Sequence, residues 1–258
     1  MAKVIAVANQ KGGVGKTTTS INLSSCIAYK EKKVLLIDLD PQGNATTGMG
    51  IDKKNINTSI YDVIINEVPI QEATIKSIQD RLNICPSSIS LAGAEIELVS
   101  FISRENRLKY ALSDIQTEYD YIFIDCPPSL GLLTLNALTA ADTVLVPIQC
   151  EYFALEGLSQ LMDTVRLVQK HLNRSLQVEG VVLTMFDART NLSIEVADEV
   201  RKHFTNKVYQ TLIPRNVRLS EAPSYGLPII LYDKESKGSE AYLKLADELI
   251  NMTGSGVK

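Results

Sequence analysis

Two hydrophobic periods alternate along this chain. Short, nearly continuous apolar runs recur: "KVIAVAN" (3–9), "KVLLIDLD" (33–40), "RLNICPS" (81–87), "YDYIFIDCPPS" (119–129), "DTVLVPIQ" (142–149), "VEGVVLTMF" (178–186) and "KVYQTLIP" (207–214). Between them lie longer stretches with apolar residues at helical spacing, at about 16–30, 104–116, 130–140, 155–171, 191–204 and 236–251. A run that is apolar at almost every position suits a strand buried on both faces, as in a parallel sheet covered by crossover helices. The pattern predicts one α/β domain over 1–252, with a mostly parallel, twisted sheet and helices on both faces. No repeat or low-complexity linker interrupts it. The tail 253–258, "TGSGVK", is expected to be flexible.

Composition adds exclusions more than assignments. The 258 residues, 45% of them hydrophobic, suffice for one large core. A net charge of −4 gives no support to a protein built mainly to hold nucleic acid, so any such affinity has to come from a local patch. Cys26, Cys85, Cys126 and Cys150 form no C-x-x-C pair, which spells neither a zinc ribbon nor a dithiol redox site and suits buried thiols in a reduced cytoplasm. The N-terminal apolar run leads into a glycine loop and reads as a strand, not a signal peptide. No apolar stretch approaches the ~20 residues that span a bilayer. His171 and His203 fall in no motif.

The chemistry starts where the first strand ends, in "ANQKGGVGKTTTSINL" (8–23). This nearly spells the phosphate loop G-x-x-x-x-G-K-[ST], but Gln10 stands where its first glycine belongs and a second lysine, Lys11, is added. Strand, glycine loop and helix follow in the order the motif needs. Backbone N–H groups from Gly12, Gly13, Val14, Gly15, Lys16, Thr17 and Thr18 are placed to cradle the phosphates of a nucleotide at the helix N-terminus. Lys16 would bridge phosphate oxygens and the Thr17 hydroxyl would ligate Mg²⁺.

Two strand-end carboxylates accompany the loop. Asp125 closes "YIFID", as a Walker B carboxylate that binds Mg²⁺ through water does. Asp40 closes the run "LLIDLD". Ligands of open parallel sheets sit beyond the carboxyl ends of the strands, which places both at the site. Asp38 faces the same way as Asp40 and is either a second metal-shell group or a structural carboxylate capping the loop.

Five blocks in order, "KGGVGKTT", "LLIDLDPQGN", "YIFIDCPPSLG", "VPIQCEYFALEGL" and "SEAPSYGLPI", make the chain resemble the ParA/Soj branch of the deviant Walker A ATPases over almost its whole length. The resemblance implies an ATP- and Mg²⁺-dependent ATPase of slow intrinsic turnover, with Lys11, Lys16, Asp40 and Asp125 as catalytic residues. Lys11 would be the signature lysine, which reaches the partner's nucleotide in an ATP-bound homodimer. Asp40 would orient the attacking water, with Thr17 and Asp125 beside it at the metal. Met185, Asp187, Pro214 and Asn216 would line the adenine site. Implied partners are non-specific double-stranded DNA and a ParB-type centromere-binding protein, in the cytoplasm on the nucleoid and with no membrane. Arg189 and Arg218 match DNA-contacting positions, and Lys202, Lys207, Lys234 and Lys237 would extend that patch, although acids balance bases between 185 and 240.

Two relatives compete with this reading. A MinD-like membrane ATPase needs a basic amphipathic C-terminal helix, and "GSEAYLKLADELINMTGSGVK" looks instead like a core-packing helix. A nitrogenase-iron-protein-like redox protein needs two exposed cysteines per subunit, for which Cys85 and Cys126 follow strands. A ParA-like ATPase that positions other cargo shares every motif.

Overall fold

The computed structural model describes residues 1–151, 154–205 and 207–255. Among these, β1 (Lys3–Val7), β2 (Val34–Asp38), β3 (Ile75–Lys76), β4 (Leu82–Cys85), β5 (Tyr121–Asp125), β6 (Thr143–Gln149) and β7 (Gln177–Thr184) form one sheet. The strand order is β3-β4-β2-β5-β1-β6-β7, and only the edge strand β3 runs antiparallel to its neighbour. The helices are α1 (Lys16–Tyr29), α2 (Asn44–Gly48), α3 (Ile60–Asn66), α4 (Ile70–Ala73), α5 (Leu91–Glu97) and α6 (Arg107–Ser113), followed by α7 (Leu132–Ala140), α8 (Ala154–His171), α9 (Asn191–His203), α10 (Val217–Glu221), α11 (Ile229–Tyr232) and α12 (Lys237–Ser255).

The continuous apolar runs have the reason expected of them. Along β1, Val4 and Ala6 enter one core with Ile122, Ile124, Val144 and Leu183. Ile5 and Val7 enter a second core with Leu36, Phe123, Leu145 and Val182. Because both faces of the sheet are covered, both parities of strand position are mostly apolar, and polar side chains such as Asp38, Asp125 and Thr184 come at the strand ends. The second core is closed by α12 through Tyr242, Leu245, Ala246 and Leu249, all buried. The apolar face of α12 is therefore spent on the core, as expected of a core-packing helix. No helix among the described residues is long and apolar enough to cross a membrane.

The run 207–214 does not become a strand. Its pairing is broken into isolated contacts: Tyr209 N–H donates to the Val181 carbonyl (2.9 Å) and Ile213 N–H to the Leu183 carbonyl (2.9 Å), with single bridges from Val181 to Val208 and, beyond β7, from Phe186 to Pro214. The N–H groups of Gln210 and Thr211 go to the Glu248 carboxylate of α12, at 2.7 and 3.1 Å, and Pro214 has no N–H to offer a ladder. The helix expected over 104–116 is split into a 3₁₀ turn, Arg104–Asn106, and α6. β2 stops at Asp38, so Asp40 lies two residues past the strand it was expected to close. At the other end α12 runs to Ser255, past the expected boundary at 252, and the tail residues 256–258 lie outside the described residues.

Candidate functional site: a phosphate loop with an adjoining cavity

β1 lies in the middle of the sheet, between β5 and β6, and opens into the loop at its carboxyl end. Asn9 fixes the chain as it leaves. Its Nδ2 donates to the Pro147 carbonyl (2.8 Å) and its Oδ1 accepts from the Lys11 N–H (3.0 Å). Gly13 and Gly15 hold φ of 74° and 87°, conformations an L side chain resists. A Cβ added at Gly12 or Gly13 would meet nothing within 4 Å, so open space adjoins the loop at both. The loop is also tied to β7. Thr184 Oγ1 donates to the Val14 carbonyl at 2.8 Å.

Lys16 is buried and curls back over its own loop, its Nζ donating to the Lys11 carbonyl (3.1 Å). Burial pulls its pKa down, against the opposing pull of Asp125 and Asp40. An ammonium held this way is set to exchange a carbonyl for phosphate oxygens. Asp125 takes the Thr17 hydroxyl on Oδ2 (2.8 Å) and the Ser20 hydroxyl on Oδ1 (2.9 Å). Asp38, its register neighbour on β2, accepts the Thr46 N–H and hydroxyl, both at 2.7 Å, and the Asp40 N–H at 3.2 Å. Asp38 thus caps the loop through these three bonds. Burial raises the pKa of both Asp38 and Asp125. Asp40 opens the next turn, with Oδ1 accepting from the Gln42 N–H (2.9 Å).

This donor set fits magnesium. Among the described residues no three His, Cys, Asp or Glu side chains gather into a metal cage. One hydroxyl, one strand-end carboxylate and an open loop suit a small hard cation that keeps waters and shares phosphate oxygens. The cysteines do not fit an iron–sulfur cluster, because all four are buried and burial raises each thiol.

Beside the loop lies a cavity of about 510 Å³. Its lining includes Met185, Pro214 and Asn216, which the resemblance assigned to adenine, and also Thr18 of the loop. Met185 holds φ of 51°, a strained backbone next to the site. Asn216 caps α10, its Oδ1 accepting from the Leu219 N–H (3.2 Å). Asp187 is not among the lining residues. Arg189 grips it with two hydrogen bonds, of 2.9 and 2.7 Å, which hold its carboxyl well below the usual carboxylate range. Arg215 and Leu219 line the cavity too, in the same run 213–219 as Pro214 and Asn216, whereas Tyr242 of α12 lines it without any sequence signal. Thr184 and Ser20 were equally silent.

The basic residues expected at DNA are mostly engaged. Besides Arg189, Arg218 pairs with Glu221 (2.9 Å) and Asp233 (3.3 Å), and Lys202 with Glu199 (3.3 Å). Lys234 donates to the Tyr29 hydroxyl (2.8 Å). Lys207 and Lys237 are exposed. Lys11 pairs with Glu151, its Nζ 3.8 Å from Oε2.

Comparison with known proteins agrees with this geometry. Residues 2–178 match the AAA domain family. The sporulation initiation inhibitor protein Soj of Bacillus subtilis is 62% identical over 96% of this chain and 98% of its own. The chromosome partitioning protein ParA of Myxococcus xanthus is 55% identical over 97% and 88%. A crystal structure of cobyrinic acid a,c-diamide synthase from Mycobacterium smegmatis with bound ADP and magnesium superposes with a TM-score of 0.87 at 39% identity, covering 100% of this chain and 98% of that one. With relatives more than half identical along nearly its entire length, the chain belongs to the Soj/ParA family of chromosome-partitioning ATPases.

Proposed function

We propose that this partitioning ATPase works as a dimerisation switch on DNA. Two copies face each other across their nucleotides, and Lys11 of each reaches the phosphates held by the other. The paired form grips duplex DNA without sequence preference, through phosphate contacts. A ParB-type centromere-binding protein then stimulates hydrolysis and releases it. The cycle runs in the cytoplasm, on the nucleoid.

The observation that carries this reading is the division of labour between two lysines. Lys16 is buried and folded over its own loop, whereas the Lys11 side chain is one-third exposed and pairs only with the still more exposed Glu151. One loop needs one lysine on its phosphates. A second, held by no more than an exposed ion pair, would stabilise charge on a facing γ-phosphoryl, as an arginine finger does in trans.

ATP and Mg²⁺ are the cofactors. Mg²⁺, when bound, neutralises charge on the phosphates. The Thr17 hydroxyl would hold it directly and Asp125 through water. Asp40, at the start of its turn, would orient the attacking water. The base would occupy the cavity against Met185, Pro214 and Asn216, with the phosphates on Gly12 to Thr18. Arg189, Arg218 and the neighbouring lysines would meet DNA once their acidic partners yield.

Sedimentation and DNA-binding assays with ATP test this reading. Lys16→Ala should lose nucleotide binding. Asp40→Ala should bind ATP, hydrolyse it poorly and accumulate as dimers on DNA. A Lys11→Ala protein that still dimerises with ATP and binds DNA like wild type would overturn the reading.

A further inference from the structure

The block "SEAPSYGLPI" (220–229) helps to mark the family, yet no step above uses its glycine. The 3₁₀ turn Ala222–Tyr225 ends at Gly226, with φ of 66°. Just beyond the end of α2 stands Gly50, with φ of 78°. These two left-handed glycines press backbone against backbone. A Cβ on Gly226 would stand 2.5 Å from the Gly50 Cα, and a Cβ on Gly50 would stand 2.9 Å from the Gly226 carbonyl oxygen. Neither position accepts an L side chain without a shift of main chain.

The contact has a functional element on each side. On one side, Leu219, Ser220 and Pro223 form a wall of the cavity. On the other, Thr46 of α2 gives its N–H and its hydroxyl to Asp38, which holds the Asp40 N–H. The same two segments meet again where Gly48 faces Pro223: a Cβ on Gly48 would be 3.7 Å from the Pro223 Cβ. Backbone packed this closely has no slack, so a displacement of the wall is passed to α2 and not absorbed between them.

We propose that Gly50 and Gly226 form a rigid joint through which the filled cavity positions Asp40, so that the base of the nucleotide acts on kcat and not on binding alone. The joint rests on the assignment of the cavity to the base and of Asp40 to the attacking water. Both glycines are positioning residues. Contacts made to a remote part of the substrate are used to orient the reacting centre, the general route by which non-reacting groups raise turnover.

The test compares ATP with ribose 5-triphosphate, which keeps the phosphates and lacks the base, both with Mg²⁺. In wild type, ATP should bind more tightly and also turn over about tenfold faster at saturation, the scale on which small misplacements of reacting groups act. In Gly226→Ala and Gly50→Ala, kcat for ATP should fall to about the ribose triphosphate value, while the Kd for ATP shifts less than about threefold. Tyr225→Ala, beside the joint and outside it, should keep the wild-type ratio. The wild-type comparison needs no variant to fold. Tighter ATP binding with equal kcat for the two ligands would overturn the joint alone. Equal Kd for the two would overturn the base assignment, and the joint with it. Glycine variants that remain folded and keep the wild-type kcat ratio would also overturn the joint.

Discussion

The Lys11 ammonium lies 3.8 Å from the Glu151 carboxylate, with 33% and 47% of the two side chains open to solvent. For Lys11 to reach a facing nucleotide this contact has to break. Ion pairs this exposed are worth about 0.2–1 kcal/mol. Glu151→Gln should therefore tighten ATP-dependent dimerisation, by up to about fivefold for each of the two contacts that break. Analytical ultracentrifugation with ATP, in the Asp40→Ala background where hydrolysis is expected to be slow, would read the change. An unchanged or weaker dimer would show that Glu151 does not restrain Lys11.

Thr184 holds the phosphate loop from the far side of the sheet. Its hydroxyl donates to the Val14 carbonyl at 2.8 Å, in a buried setting. Thr184→Val keeps the shape and strands that carbonyl, at a cost of about 1–3 kcal/mol. The melting temperature should drop by a few degrees, and nucleotide affinity should fall with it because the loop loses its anchor. Thr184→Ser, which keeps the hydroxyl, should stay close to wild type in both. Thermal melts with and without ATP check the pair.

Residues that act next to each other in sequence were legible, and those that act across the fold were not. Lys16 and Thr17 follow from a contiguous motif, and Asp125 from the apolar strand it ends. Thr184 meets Val14 across 170 positions, and Ser20 meets Asp125 across 105, so neither has a local signal. The sheet was readable because burial on both faces leaves a continuous apolar run. The run 207–214 has that look too, but in its middle the N–H groups of Gln210 and Thr211 are taken by Glu248, a partner the pattern cannot name. Asp187 was assigned to the base on family position, while its charge is spent on Arg189, two residues away. Gly50 and Gly226 sat in quoted or adjoining blocks, and only the packed chain shows that they touch.

Burial of Asp38 and Asp125 gives the nucleotide-free protein a defined pH dependence. A carboxyl with a raised folded pKa keeps its proton where the unfolded chain has lost it. Stability then falls as pH rises above the ordinary carboxylate value of about 3.9, until the folded pKa is passed. The melting temperature of the free protein should decline from pH 5 to neutral and above. Asp125→Asn should flatten part of that slope. Mg²⁺ with ATP should flatten it in wild type, since a bound cation favours the charged carboxylate. Melting curves across pH would show it. A variant with the wild-type slope would assign the dependence to other groups.

Arg189 offers the sharpest test of the DNA surface, because its restraint is known. Asp187 holds the guanidinium at 2.9 and 2.7 Å, and the arginine side chain is otherwise open to solvent. A carboxylate beside a phosphate-binding arginine both occupies its donors and repels the backbone. Asp187→Asn should therefore strengthen binding of the ATP-bound protein to duplex DNA. Arg189→Ala should weaken it about equally for all sequences and lower the salt slope by about one. Titrations of duplex DNA at several salt concentrations, with ATP and Mg²⁺, read both effects. If neither substitution moves the slope, Arg189 lies off the DNA path, and the contact falls to Arg218 and the exposed Lys207 and Lys237.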